Sequence, residues 1–84
     1  MQTSISPFEV DLSGSVLSFI REGAPYASLN ISVDDDFLVT AECADKYEYF
    51  EKMLVPRIKE DLQLEDLQIE VLKNFLDESG YFNK

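Results

Sequence analysis

The sequence predicts an α+β fold: a two-layer domain in which an antiparallel sheet, favoured as a four-stranded meander, is followed by two C-terminal helices packed on one face. Three observations carry this. Apolar and polar residues alternate through a strand-rich stretch, 5–43. The period changes to three and four in a helical stretch, 45–80. No repeat, low-complexity tract or Gly/Pro-rich linker divides the 84 residues, so 1–84 is read as a single acidic domain.

Phe8, Val10 and Leu12 alternate with Glu9 and Asp11, and the pattern resumes at Leu17 and Phe19. With Ser13-Gly14 as a two-residue turn, Leu12 faces Ser15, Val10 faces Leu17 and Phe8 faces Phe19, which leaves one face apolar. The alternative is a short helix over Ser15–Glu22, capped by Ser13 and stopped by Gly23, with a smaller sheet. Leu29, Ile31 and Val33 then alternate with Ser28, Asn30 and Ser32. Asp34-Asp35-Asp36 reads as the polar turn of a second hairpin, with Phe37, Val39, Ala41 and Cys43 returning inward. Glu9, Asp11, Ser18, Asn30, Ser32, Thr40 and Glu42 fall on the outer face, with Val16, Ile20 and Leu38 among them.

Beyond Asp45, which reads as an N-cap, Tyr47, Phe50, Leu54, Ile58 and Leu62 make one helical stripe. Pro56 lies opposite that stripe and predicts a kink near Val55. A second helix starts at Glu65-Asp66 and buries Leu64, Leu67, Ile69, Val71, Leu72, Phe75 and Leu76. It stops at Ser79-Gly80-Tyr81, a glycine followed by a hydrophobic contact.

Composition narrows the chemistry. There is no histidine and one cysteine, so neither a disulfide framework nor a Ser–His or Cys–His nucleophile can be assembled. A structural zinc site needs about four Cys or His ligands. Cys43, in the inward phase beside Glu42 and Asp45, reads as structural. No enzyme, cofactor or metal is expected. Without a signal peptide, a long apolar run or a lipidation motif, the chain reads as cytoplasmic. Seventeen Asp and Glu against seven Lys and Arg give a charge of −10. Such a chain is repelled by nucleic acid and by anionic membranes alike, and suits a basic protein surface.

Residues 1–43 hold seven acids and Arg21, and residues 44–84 ten acids and six bases, so the first part is expected to project the stronger field. The candidate partner-binding residues are Asp34, Asp35 and Asp36, then Glu42, Asp45 and Glu48 continuing from the same hairpin, and Tyr49 on the polar side of its helix. Carboxylates spaced as on Asp45, Glu48 and Glu51 can stand where phosphates stand for an Arg or Lys. The sequence therefore points to a small acidic binding module. Its expected role is to inhibit a partner by occupying a basic, nucleic-acid-binding surface, in the manner of DNA mimics and phage anti-defence proteins. The alternative is an assembly protein that forms a homo-oligomer through Val16, Ile20 and Leu38 on the outer sheet face.

Overall fold

Four strands and then five helical segments follow one another in the computed structural model, which describes residues 1–82. The strands are β1 (Gln2–Ile5), β2 (Phe8–Ser13), β3 (Val16–Arg21) and β4 (Ala24–Asn30). Each pairs antiparallel with the next, in the order β1-β2-β3-β4, so the sheet is a four-stranded meander and the fold is α+β. The chain divides into two compact units, Met1–Ser32 and Val33–Lys84.

Turn chemistry fixes the register of the sheet. Gly14, at φ +61°, is the first central residue of the β2–β3 turn, where a type II′ turn requires positive φ. The turn is therefore Gly14-Ser15, one residue later than expected. Leu12 faces Leu17, Val10 faces Phe19 and Phe8 faces Arg21. Each partner moves by two residues, and since strand faces alternate with period two, the predicted apolar face survives intact. The β3–β4 turn uses Glu22 at φ +53° and Gly23 at φ +80°, the two positive values of a type I′ turn. Residues 16–21 are strand, not helix.

One sheet face holds Ile5, Phe8, Val10, Leu17 and Phe19, all buried. The other presents Gln2, Asp11, Ser18 and Ser28 as one row of cross-strand partners. Tyr26 is the extra residue of a bulge in β4, between the Phe19–Ala27 and Ile20–Pro25 pairs. Its ring lies 5.1 Å from that of Phe8.

The second hairpin expected over 28–43 does not form. Strands end at Asn30, and Asp35–Thr40 is a helix, α1. Leu38 is consequently buried, whereas Phe37 and Val39, expected inward, are exposed, Val39 at 76 %. Then come α2 (Lys46–Tyr49), a π-turn (Phe50–Leu54), α3 (Val55–Leu62) and α4 (Asp66–Glu78). Pro56 explains the π-turn. It has no N–H to give Lys52, and its ring crowds that carbonyl. The turn before it widens, and the Val55 N–H reaches back to the Phe50 carbonyl. The disturbance expected near Val55 falls at this widened turn.

Phe50, Leu54, Ile58 and Leu62 form the buried stripe, while Tyr47 stays largely exposed. In α4 the buried residues are Ile69, Leu72, Phe75 and Leu76; Leu67, at 82 %, and Val71 face outward, contrary to expectation. Glu65 caps α4 in a capping box with Gln68. At its end the Tyr81 N–H donates to Leu76 O and the Gly80 N–H to Asp77 O, with Gly80 at φ +88°. This is a Schellman motif, at the predicted glycine.

Candidate functional site

Once the strands stop at Asn30, the charge map changes. The sheet unit, 1–32, holds Glu9, Asp11, Glu22 and Arg21, a net −2, and the helical unit, 33–84, holds fourteen acids against six bases, a net −8. The larger net charge therefore lies on the helical unit, whereas the sequence division at residue 43 assigns four of these acids to the strand-rich stretch. Asp34, Asp35, Asp36 and Glu42 cross the boundary because they belong to α1 and its termini.

Asp34 is the N-cap of α1. Its backbone is extended, and its Oδ1 accepts the Phe37 N–H at 2.8 Å. Asp35 and Asp36 occupy the first turn, where a negative charge favours the helix dipole. The three acids thus start a helix rather than turn a hairpin. At the other end Glu42 sits at φ +60°, its N–H donating to Val39 O while the Cys43 N–H donates to Leu38 O. This second Schellman motif places a glutamate where glycine is usual, and Leu38 and Cys43 are both buried at its hydrophobic positions. Cys43 is buried as expected, though by a helix terminus and not by strand phase.

Asp45 caps α2, its Oδ1 accepting the Glu48 N–H at 2.9 Å. Glu48 in turn accepts the Ala44 N–H at 2.7 Å and pairs with Lys52 at 3.1 Å. The Ala44 N–H, and then Lys52, hold the Glu48 carboxyl below the usual glutamate value. Lys52 also donates to the Glu42 carbonyl at 3.4 Å. Glu51 meets Lys73 at 2.7 Å, and Lys73 reaches Glu70 at 3.1 Å. That lysine, its side chain 18 % exposed, is held well above the ordinary lysine value, first by Glu51. The row Asp45, Glu48 and Glu51 is therefore occupied by its own neighbours.

Among the described residues, the Asp35, Asp36 and Glu42 carboxylates have no cation within ion-pair distance. Asp35 and Asp45 line one small hollow of about 110 Å³ with Leu38, Ala44, Lys46 and Phe82. Tyr49 is half-buried, its ring edge-on to Phe37 at 5.6 Å. The exposed Phe37 and Val39 adjoin these acids on α1. Sequence reasoning placed both residues inside, although an Asp followed by two more acids is an N-cap signature.

On the sheet unit an open hollow of about 650 Å³ lies over Gln2, Asp11, Ser18, Ile20, Pro25 and Tyr26. Its one charge, Asp11, lies 3.9 Å from the N-terminal ammonium. Among the described residues no group of three Asp, Glu or Cys is arranged to hold a metal ion. No helix there is long and apolar enough to cross a membrane. Compared with protein-family models, curated proteins and solved structures, the chain matches none.

Proposed function

We propose that the protein is an acidic binding module whose helical unit occupies a basic, nucleic-acid-binding surface of a partner protein and so inhibits it, as a nucleic-acid mimic of the anti-defence kind does. The observation that carries the reading is the concentration of −8 on residues 33–84, with Asp35, Asp36 and Glu42 left without cations among the described residues. Carboxylates at α1 offer charge-assisted acceptors to Arg or Lys. Phe37 and Val39 beside them supply apolar area that a purely solubilising surface does not need. Asp34, Asp45 and Glu48 act indirectly, by holding the helices that carry the free acids. Tyr49 buttresses Phe37.

The deciding experiment is affinity capture from the native host at low and at high salt, followed by mass spectrometry and titration. A basic partner is expected, with binding that weakens steeply as salt rises. D35N/D36N/E42Q should weaken it by about 1–3 kcal/mol. Asp34 is left in place so that the cap survives. The control E70Q/D77N removes charge from α4. An acidic partner, salt-indifferent binding, or loss confined to the control would each sink the proposal.

A further inference from the structure

The two edges of the sheet are unlike, and the difference points to a second copy of this chain. β4 has seven residues, Ala24–Asn30, and pairs with β3 alone. The Ile31 N–H donates to Ser15 O, so the ladder bonds of this pair fall on Ile31, Leu29 and Ala27. By alternation the N–H and C=O groups of Ser28 and Asn30 point away from β3. Both residues are exposed, and the two edge-protecting features of the strand, Pro25 and the bulge at Tyr26, lie toward its other end.

Residues 23–33 contain no charge, in a chain that is 29 % charged. Across β3 the outer-face partners of β4 are Val16, Ser18 and Ile20, also neutral. The opposite edge is guarded twice. β1 has four residues, and its outer-face partners on β2 are the acids Asp11 and Glu9. An exposed edge strand without charge is a template for another strand. For a chain of −10, the neutral edge is where a like-charged copy can approach with least repulsion.

We propose that β4 pairs antiparallel with β4 of a second copy, with Leu29 on the two-fold axis and Ser28 opposite Asn30 of the partner copy, joining two meanders into one eight-stranded sheet. Each Ser28–Asn30 pair exchanges both of its backbone bonds. Both residues lie on the outer face, so the two outer faces become continuous. This interface uses the strand edge, independently of the helical acids. It also differs from an assembly through Val16, Ile20 and Leu38, for which Leu38 is too buried.

Sedimentation equilibrium of the intact chain, from micromolar to millimolar, tests this directly. A monomer–dimer equilibrium is expected that strengthens as salt screens the net charge, the reverse of the salt dependence expected for a basic partner. Ser28→Pro removes an N–H that β3 does not use, and should weaken the dimer at least tenfold. S28D/N30D sets like charges opposite each other and should do the same. Mixing it with S28K should restore a heterodimer, which keeps the test decisive if the proline variant fails to fold. In a mixed-isotope dimer, an intermolecular Hα–Hα contact between the two Leu29 residues is expected. A monomer at every concentration, or a dimer indifferent to both charge variants, would overturn the proposal.

Discussion

The sheet unit and the helical unit use charge in different ways. In residues 1–32 structure is set by turns and alternation, and the one ion pair described involves the N-terminus. In residues 33–84 carboxylates start helices at Asp34, Asp45 and Glu65, and Lys52, Arg57, Lys59 and Lys73 each hold an acid. A high net charge is therefore no measure of available charge. Much of the acidity in the helical unit is already engaged, and what remains for a partner is a short list led by Asp35, Asp36 and Glu42.

The contrast breaks first at the core, where the units should behave alike. Phe19 and Phe50 are 1 % and 0 % exposed. F19A and F50A should each cost about 3–5 kcal/mol, read by urea denaturation, because a cavity is left in either unit. If one is tolerated, its unit is not independently packed.

Turns and caps sharpen the difference. Gly23→Ala, at φ +80° with open space around the Cβ, should cost about 1–2 kcal/mol through the backbone alone. Its counterpart in the helical unit is Asp34→Ala, expected to cost about 0.5–2 kcal/mol, whereas Asp34→Asn should be nearly silent because Asn also caps. Equal losses for Ala and Asn would mean that charge, not the hydrogen bond, starts α1.

Glu42→Gly should move the other way. A non-glycine residue at φ +60° carries left-handed strain that glycine relieves, for a net gain of about 0.5–1 kcal/mol in thermal or chemical melts. The proposed function requires the same variant to bind its partner more weakly. Stability rising while binding falls would separate the two roles of Glu42.

The smallest effect is on acid titration. Glu48, Glu51 and Asp66 are all held below their ordinary values, Glu51 and Asp66 first by hydrogen bonds from Lys73 and Lys59. A depressed folded pKa adds stability above the unfolded value. That stability is lost as pH falls from the usual carboxylate range, near 4, through the folded values. Carboxyl NMR should place this loss in the helical unit, and Lys73→Met should raise the Glu51 midpoint. An unchanged midpoint would show the Glu51–Lys73 contact to be absent in solution.

Legibility in the sequence followed the same divide. Alternation over 8–21 was strong enough to give β2 and β3 and their apolar face. The register differs by two because Gly14 leads its turn, whereas the alternation alone also fits a turn led by Ser13. β1 was missed, since Gln2-Thr3-Ser4-Ile5 offers a single apolar residue. α1 was misread because six residues hold less than two turns of periodicity, while Phe37, Val39 and Ala41 mimic a strand. The cap at Asp34 was the better signal, and reading it would have moved four of the seven site residues to their observed setting. The stop at Gly80 was legible because its chemistry is local. The outward turn of Leu67 and Val71 was not, because which arc of a broadly apolar helix is covered depends on residues far away in sequence.

The widened turn at Phe50–Leu54 also keeps time. Phe50, Leu54, Ile58 and Leu62 recur at every fourth position, and each step of four overshoots one α-helical turn by about 40°. Over three steps an unbroken α-helix would carry Leu62 about 120° round from Phe50, yet all four are buried. A segment with more residues per turn winds more slowly and sets that phase back. Pro56 thus works as an escapement: by holding one turn open, it lets a four-residue rhythm in the sequence stay in step with a spiral whose natural beat is 3.6.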